Sequence, residues 1–291
     1  MKIAIASGKG GTGKTTVATN LALFLSKTGR KVWYADCDVE APNGHIFLKP
    51  DITRRKTVSI PVPEVDEQKC TGCGECAKIC QYSAIVCIKQ KVLTFHELCH
   101  GCGGCTLACP VGAIREVPRE IGVLEEGTSD GLGFVHGKLN IGEPMAPPLI
   151  REVKRSVPSR GEAIIDVPPG TSCPVIESVK GADYVLLVTE PTPFGLNDLK
   201  LAVEMTRELG LPFGLVINRS DIGDERVREY AARESILILL EIPDDRRIAE
   251  AYSRGEMVLS LGDYYRGMFA LLSDRIFQEV SDRTVTAGDS I

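Results

Sequence analysis

A glycine-rich segment near the start of the sequence constrains the fold of this chain more than any other feature. Gly8–Thr16 reads G-K-G-G-T-G-K-T-T and follows the apolar run Ile3–Ala6. The stretch Val17–Leu25 has apolar residues at helical spacing, so strand, loop and helix stand in the order that a phosphate-binding loop requires. The alternative is an ordinary glycine-rich turn between a strand and a helix. The pattern favours a nucleotide site at the N-terminus of a helix.

Individual nucleotide contacts follow from the pattern G-x-x-x-x-G-K-[ST]. We expect Lys14 to reach the β- and γ-phosphates, Thr15 to ligate Mg²⁺ through its hydroxyl, and Thr16 to donate to an inner phosphate. The rest of the loop is expected to surround the phosphates with backbone N–H groups: Gly8, Gly10, Gly11, Thr12 and Gly13.

Lys9 is a second lysine in the loop, and it cannot easily reach the γ-phosphate of its own subunit alongside Lys14. The segment resembles the deviant phosphate loop of the MinD/ParA/Mrp family of ATPases, which also includes the nitrogenase iron protein. In that family the first lysine crosses a dimer interface and touches the partner's nucleotide, much as an arginine finger does. The resemblance implies a homodimer when ATP is bound, with Lys9 as a catalytic residue. A solvated loop lysine is the alternative.

Four further site residues are implied by the same resemblance. Asp36 and Asp38 follow the predicted strand Lys31–Ala35 and match the first switch of the family, with Asp38 positioning the attacking water and Asp36 supporting the Mg²⁺ shell. Asp166 begins D-V-P-P-G-T, which resembles the second switch, where the aspartate lies in the outer Mg²⁺ shell. Asn218 matches the asparagine that reads the adenine edge. Turn or cap residues are the alternative for these positions.

Charge and apolar patterning limit the partners and the location. The formal net charge of −5 argues against a bulk affinity for nucleic acid or anionic lipid, so we expect protein partners. The run Ile3–Ala6 is too short for a signal peptide, and the longest apolar run, Ile236–Leu240, is far below the ~18 residues of a membrane span. We therefore expect a cytoplasmic protein without integral membrane association. There, the 11 cysteines indicate metal or redox chemistry rather than disulfides.

Eight of these cysteines form a repeated C-x₂-C-x₂-C-x₃-C pattern. The copies begin at Cys70 and Cys99, an offset of 99 − 70 = 29 residues. The repeat extends beyond the cysteines, because three further positions match: Gly72 with Gly101, Ala84 with Ala113, and Ile85 with Ile114.

The repeat resembles a bacterial two-cluster ferredoxin. In such proteins three closely spaced thiolates hold one cubane, and the fourth ligates the cluster of the other copy. The resemblance implies two [4Fe–4S] clusters, the first held by Cys70, Cys73, Cys76 and Cys109, the second by Cys99, Cys102, Cys105 and Cys80. Zinc is the alternative, although zinc sites usually pair two C-x₂-C hooks at longer separation.

Two further predictions concern a residue that departs from this repeat and the cysteines outside it. Gln81 stands where the second copy has Pro110, which predicts a looser turn beside Cys80. The cysteines outside the repeat are expected to be plain thiols, with Cys87 buried: Cys37, Cys87 and Cys173.

The remaining chain alternates strand and helix patterns, which predicts an α/β fold: a mostly parallel P-loop NTPase sheet with helices on both faces. We expect a discontinuous ATPase domain, 1–62 and 118–291, carrying a small inserted α+β ferredoxin-type domain at 63–117. Pro50–Glu67 is expected to be an exposed linker, and Thr284–Ile291 a frayed tail. Predicted strands lie near 121–124, 134–135, 163–167, 184–188, 213–217 and 236–240, and helices near 148–157, 195–209, 224–233 and 264–280.

Three functions are compatible with these features. In the first, ATP binding and hydrolysis close a dimer and control electron transfer through the clusters to a partner protein. In the second, the chain is an ATPase that carries or assembles iron–sulfur or other metal cofactors. The third, spatial partitioning as in ParA or MinD, is disfavoured by the acidic charge and by the balanced charge of Tyr264–Val280, which is not a basic membrane anchor. A local basic patch at Arg226, Arg228 and Arg233 would favour it.

Overall fold

A computed structural model describes the backbone of residues 1–288 and the side chains of residues 1–283. Within them, strands and helices alternate along most of the chain. The strands are β1 (Lys2–Ala6), β2 (Val32–Asp36), β3 (Asp51–Val65), β4 (Ile85–Ile88), β5 (Lys91–Thr94), β6 (Ile114–Ser129), β7 (Leu132–Leu139), β8 (Glu162–Asp166), β9 (Tyr184–Thr189), β10 (Phe213–Asn218) and β11 (Ile238–Ile242). The α-helices are α1 (Lys14–Lys27), α2 (Gly44–Leu48), α3 (Glu75–Ile79), α4 (Gly104–Ala108), α5 (Pro147–Ser156), α6 (Cys173–Val179), α7 (Pro193–Glu208), α8 (Arg226–Arg233), α9 (Arg246–Ser253) and α10 (Asp263–Gly288).

Nine of the strands form one sheet in the order β11-β10-β9-β1-β8-β2-β7-β6-β3. The strands from β11 to β7 run parallel, whereas β6 and β3 form an antiparallel pair at one edge. Strands of a parallel sheet are buried on both faces, which explains the continuous apolar runs such as Tyr184–Thr189. The predicted mostly parallel α/β sheet is confirmed.

Alternate residues of the central strands build two cores. Ile3 and Ile5 face the layer that contains α1 and α10, while Ala4 and Ala6 face the layer that contains α5, α6 and α7. Helix α1 packs Leu21 into the first core, where it is fully buried. Truncating such a leucine to alanine costs about 2–5 kcal/mol. These two layers hold the strand ends, and hence the site residues, in fixed positions.

The segment predicted as an exposed linker, Pro50–Glu67, is instead the long edge strand β3. It pairs with β6 from Asp51 opposite Thr128 to Val65 opposite Ile114. The linker prediction was wrong because it took the prolines and the basic triplet as signs of an exposed loop, although an edge strand tolerates both. Alternating apolar residues are buried in this strand: Val58, Ile60 and Val62. Each residue of the basic triplet is paired with a carboxylate: Arg54 with Glu126, Arg55 with Glu125, and Lys56 with Glu152.

The β3–β6 ribbon extends past the carboxyl edge of the sheet. Strand β7 ends at Leu139, which lies opposite Gly122, and Gly122 pairs in turn with Val58. Ser59–Val65 and its partners therefore project beyond the edge, by about 23 Å at ~3.3 Å per residue. Residues 66–113 stand at the end of this ribbon. They thus lie on the same edge of the sheet as the loops that follow the parallel strands.

Residues 66–113 contain α3, α4 and the two-stranded sheet of β4 and β5. A small apolar cluster of Cys76, Ile85 and Ile114 joins them to the ribbon. The domain boundaries expected at Val62 and Val117 fall on two residues that pair with each other in the ribbon, and both strands continue across them.

The carboxyl-terminal tail that the sequence predicts at Thr284–Ile291 lies partly within the described residues. Helix α10 continues to Gly288, past the start of the tail expected at Thr284, and residues 289–291 lie outside the described part of the chain. Among the described residues, no helix combines the length and apolar character needed to cross a membrane.

Candidate functional site

The phosphate loop joins β1 to α1 in a conformation that depends on glycine. Gly11 and Gly13 have φ values of 80° and 92°, in the left-handed region that other residues rarely adopt. A Cβ added at Gly8 would lie 2.1 Å from the backbone oxygen of Asp198 in α7. Lys14 begins the helix and is buried. The loop is thus held between the sheet and α7, with its backbone at the N-terminus of α1.

A cavity of about 370 Å³ opens over this loop. This volume lies within the range of small-molecule sites. Its walls come from the loop, both switch regions, the end of β10, and helices α9 and α10: Gly10, Gly11, Gly13, Lys14, Thr15, Thr16, Asp38, Asn43, Pro169, Asn218, Arg219, Pro243, Asp244, Tyr252, Met268 and Phe269, among others. The sequence did not identify Tyr252, Met268 or Phe269 as site residues. Only the packing of α9 and α10 against the loop places them here.

Buried polar atoms at the loop fit Mg²⁺ and a nucleotide. The Tyr34 hydroxyl donates to Asp166 Oδ2 at 2.9 Å, and the Thr15 hydroxyl acts to lower the pKa of that carboxyl. The Thr12 hydroxyl and Asp166 Oδ1 are buried without a hydrogen-bond partner in the protein. Buried polar atoms normally have partners, and hydroxyl and carboxylate oxygens are the ligands that Mg²⁺ prefers. The donor set therefore fits the Mg·nucleotide that the loop implies.

Asp36 lies behind this cavity rather than in its wall. Its Oδ1 accepts the Asp38 N–H at 3.1 Å, and its Oδ2 accepts the Gly44 N–H at 3.0 Å. Burial raises the pKa of Asp36 and Asp166, and the neighbouring Asp166 charge raises that of Asp36 further. Asp36 thus braces the first switch between Cys37 and Gly44, and its predicted support of the Mg²⁺ shell stays a prediction.

Asp38 lines the cavity and is more exposed than Asp36 and Asp166, which are both buried. Burial raises its pKa to about 6, the Lys14 ammonium opposes that shift, and the Asp166 charge adds to it. A carboxylate with a pKa in this range can accept a proton near neutral pH, as a general base requires.

A polar row crosses five neighbouring strands from the site to the edge of the sheet. Asp166 pairs with Asp36, Asp36 with His136, His136 with Glu125, and Glu125 with Arg55. His136 Nε2 lies 2.8 Å from Glu125 Oε2, and both residues are buried. His136 Nδ1 has no hydrogen-bond partner in the protein. Directly paired residues project from the same face of a sheet, so the row connects the second switch with the β3–β6 ribbon.

Lys9 contacts a buried carboxylate of its own chain. Its Nζ lies 3.5 Å from Glu190 Oε2, and Arg219 Nη1 lies 3.3 Å from Glu190 Oε1. Lys9 does not line the nucleotide cavity of its own chain. This position agrees with the expectation that Lys9 does not serve the nucleotide of its own subunit. Glu190, the residue that holds it, has no motif around it and was not found from the sequence.

Asn218 contacts the loop as well as the cavity. Its Nδ2 donates to the Thr12 carbonyl at 2.9 Å, and a Cβ added at Gly13 would lie 2.5 Å from that nitrogen. Asn218 therefore ties the end of β10 to the phosphate loop. Its predicted role in reading adenine stays a prediction.

The eight repeat cysteines surround two cavities, four each. We call cavity I the one lined by Cys70, Cys73, Cys76 and Cys109, and cavity II the one lined by Cys80, Cys99, Cys102 and Cys105. Each cavity takes three cysteines from one copy of the repeat and the fourth from the other copy. This is the grouping that the sequence resemblance implied.

The two copies also have matching backbones. Helices α3 and α4 begin and end 29 residues apart, after Gly74 and Gly103, whose φ values are 79° and 72°. Cys80 and Cys109 end them with the same φ of −76° and ψ values of 106° and 110°. The looser turn predicted beside Cys80 is therefore not present. The proline of the second copy is not needed to set this conformation.

Backbone N–H groups point at several of the sulfurs. The Ala113 N–H donates to Cys109 Sγ at 3.2 Å, and the Gly101 N–H donates to Cys99 Sγ at 3.4 Å. Burial raises the pKa of Cys80 and of Cys109, but several backbone N–H donors outweigh it and the net shift is downward. Such donors stabilise thiolates, which are the form that binds iron.

In the part of the chain that the structure describes, no three His, Cys, Asp or Glu side chains are grouped closely enough to hold one metal ion. A cubane has a different requirement, because each of its four irons takes one cysteine and the thiolates surround the cluster. Four cysteines around a cavity fit this second arrangement.

The other predicted candidates are separate from these sites. Cys37 is buried, Cys173 is exposed, and Cys87 is half-buried rather than buried, with its thiol donating to the Gly72 carbonyl at 3.6 Å. The arginines of the basic patch that would favour partitioning are each paired with carboxylates: Arg226 with Asp224, Arg228 with Glu225 and Glu241, and Arg233 with Glu234.

Comparison with known proteins gives the same fold and loop. A model of the CobQ/CobB/MinD/ParA nucleotide-binding domain matches residues 3–258. An uncharacterised protein of Methanocaldococcus jannaschii is 32% identical over 266 residues, which is 90% of this chain and 93% of that protein. An iron–sulfur cluster carrier protein of the same organism is 26% identical over 301 residues, covering 97% of this chain and 86% of that protein.

Solved structures agree. The septum site-determining protein MinD of Pyrococcus horikoshii, determined with Mg-ADP, has a TM-score of 0.59 at 21% identity, with 94% of this chain and 95% of that chain covered. A ParA family ATPase of Chlorobium tepidum has a TM-score of 0.57 at 15% identity, with 92% and 96% covered. At these identities the similarity shows a shared fold.

Proposed function

Because this chain belongs to the CobQ/CobB/MinD/ParA family of nucleotide-binding proteins, we propose that it is an Mg-ATP-dependent ATPase with two resident [4Fe–4S] clusters. ATP-driven pairing of two chains controls electron transfer from these clusters to a partner protein. One observation carries the proposal. Two four-cysteine cavities stand on a ribbon that projects past the same edge of the sheet as the phosphate loop.

The nucleotide half of the proposal assigns roles to the cavity residues. Lys14 and the loop N–H groups bind the phosphates, and Thr15 and Asp166 hold Mg²⁺ directly or through water. Asp38 orients and deprotonates the attacking water. Lys9 leaves Glu190 and contacts the nucleotide of the partner chain, which completes both sites at once.

The cluster half assigns four thiolates to each cavity, within a ferredoxin-type domain at 63–117. When bound, the clusters supply one-electron storage at low potential. The chain supplies the N–H groups that stabilise the thiolates at Cys80, Cys99 and Cys109. Each cavity borrows a cysteine from the other copy of the repeat, so releasing either cluster would disrupt both. This crossing supports resident clusters over transported ones.

The two halves are close enough to communicate. From β1 to β3 the sheet has five strand spacings, which is about 24 Å at ~4.8 Å each. The polar row from Asp166 in β8 to Arg55 in β3 spans four of these spacings, about 19 Å at ~4.8 Å each, and ends on the ribbon that carries the cysteines. A switch movement at Asp166 or Asp36 can therefore reach the ribbon through residues that are directly paired on neighbouring strands.

A second candidate function is an iron–sulfur cluster carrier or assembly ATPase, which the names of several relatives favour. One of them, from Aquifex aeolicus, is 27% identical over 275 residues, 88% of this chain and 61% of that protein. In this case the cluster is cargo. It is delivered to a client protein only during the ATPase cycle.

Anaerobic purification followed by iron and sulfide analysis tests the proposal. We expect about eight irons per chain, with an EPR signal of reduced [4Fe–4S] clusters, and retention of that iron during ATP turnover with an apo-ferredoxin present. Transfer of iron to the apo-ferredoxin only when ATP is present would establish the carrier function instead. Iron-free protein that binds zinc tightly would contradict both.

A further inference from the structure

We propose that Tyr82 and His100 make the two cavities unequal, so that the cluster in cavity II has the lower reduction potential. The inference rests on the proposed function, because it takes both cavities to hold resident clusters. It goes beyond that function by naming the residues that distinguish the two clusters.

Tyr82 and His100 form a stacked pair of rings at cavity II. Their ring centroids are 3.4 Å apart and their planes are inclined by 9°. Both residues line cavity II, and both are also exposed to solvent. The pair therefore lies at the mouth of the cavity, between the cysteines and water.

Cavity I has small side chains at the corresponding places. The offset of 29 residues relates His100 to Thr71 and Tyr82 to Val111, and Thr71 and Val111 both line cavity I. The backbones of the two copies match at their helices and caps, as described above. The difference between the two mouths is therefore one of side chains, with a threonine and a valine in place of two aromatic rings.

A second difference acts in the same direction. A Cβ added at Gly103 would lie 3.0 Å from Glu116 Oε1, and Glu116 lines cavity II. The same offset relates Glu116 to Cys87, which stands 3.8 Å from a Cβ added at Gly74. Cavity II thus has a carboxyl side chain in its wall, whereas the corresponding residue Cys87 does not line cavity I.

Both differences disfavour the reduced state in cavity II. Reduction adds negative charge to a cluster, and water near its sulfurs stabilises that charge. A ring pair at the mouth keeps water farther away, and a neighbouring carboxylate repels the added charge. An electron from a low-potential one-electron donor that enters at cavity II would pass to cavity I, oxidising the cluster in cavity II and reducing the cluster in cavity I.

Exchange of the lining residues between the two copies tests this inference. The measurement is an anaerobic redox titration of the full chain followed by EPR, on protein with about eight irons. Wild type should show two separate one-electron midpoints. Tyr82→Val with His100→Thr should raise the lower midpoint and leave the other in place, whereas Thr71→His with Val111→Tyr should lower the higher one.

Two further variants distinguish the effect of the ring stack on the midpoints from general damage to the cluster sites. Tyr82→Phe keeps the ring pair and should keep both midpoints, and Glu116→Gln should raise the lower midpoint with the stack intact. Two results would overturn the inference while leaving the proposed function in place. One is equal midpoints in wild type. The other is an unchanged lower midpoint in the Tyr82→Val, His100→Thr variant with full iron. Wild-type protein purified without clusters would instead contradict the proposed function itself.

Discussion

As the proposed general base, Asp38 is expected to make ATP hydrolysis depend on pH. Its pKa is raised to about 6 by burial in the cavity wall, so the free protein loses the Asp38 carboxylate as the pH falls through this value. We expect kcat/KM for ATP to rise from pH 5 to 7 with an apparent pKa near 6 and to be level above it, because this parameter reports groups of the free enzyme. Steady-state ATPase assays across this range give the profile. A level profile from pH 5 to 8 would show that Asp38 is not the base.

The two loop lysines should have separable effects. Lys14 is buried at the N-terminus of α1, so Lys14→Ala should lose about 2–5 kcal/mol of nucleotide binding free energy. Lys9 does not line the cavity of its own chain, so Lys9→Ala should bind ATP normally but lose ATP-dependent dimerisation and about 1,000-fold or more in hydrolysis.

Calorimetry of nucleotide binding and size-exclusion chromatography with Mg-ATP measure the two effects. Lys27→Ala, at the exposed end of α1, is a matched control that should change neither. A Lys9→Ala protein that still dimerises and hydrolyses ATP at the normal rate would remove the case for a site shared between chains.

At the scale of the elements, Glu125 in strand β6 of the ribbon interacts electrostatically with His136 and Lys138 in the neighbouring strand β7. Burial raises its pKa, but hydrogen bonds from His136 and Lys138 outweigh this and hold the pKa at about 2. A lowered folded-state pKa means that the stabilisation is complete above the unfolded value near 4.5 and disappears as the pH falls toward 2.

Glu125→Gln should therefore lower the free energy of unfolding by about 1–2 kcal/mol at pH 7, with allowance for solvent screening. The deficit should shrink below pH 4.5 and vanish near pH 2. Urea unfolding at a series of pH values measures it, and Glu208→Gln, on the exposed end of α7, should show no deficit. A deficit that is the same at pH 3 and pH 7 would mean that Glu125 acts through packing alone.

The elements that the sequence predicted well are those specified locally. The phosphate loop depends on glycines at fixed positions, and the cysteine grouping was implied by the ferredoxin resemblance of a repeat within 40 residues, so both could be found without tertiary information. The ribbon was missed, because an edge strand accepts the prolines at Pro61 and Pro63 that a central strand would exclude.

Residues brought together by register could not be predicted. Asp166, His136 and Arg55 lie far apart along the chain, and only the strand order β8-β2-β7-β6-β3 aligns them in one row. The same is true of Tyr252 and Phe269 in the nucleotide cavity, which depend on how α9 and α10 pack. Glu190 contacts Lys9 for a similar reason, since it follows β9, the neighbour of β1.

At the scale of the whole molecule, one sheet edge carries both the nucleotide site and the ribbon to the cysteines. In the proposed function, this arrangement would let ATP alter the surroundings of the clusters, either through the polar row or by pairing two chains at that edge. We therefore expect cluster reactivity to depend on nucleotide. A protein with independent ATPase and cluster functions would not need the two sites on one edge.

The most direct test is the rate at which the reduced protein transfers electrons to a protein oxidant such as cytochrome c. Stopped-flow measurements would compare Mg-ATP, Mg-ADP and no nucleotide, with Lys9→Ala as the control. We expect a rate with Mg-ATP that differs several-fold from the other two in wild type, and no such difference in Lys9→Ala. Equal rates in all three nucleotide states of the wild type, with both clusters present, would contradict this expectation.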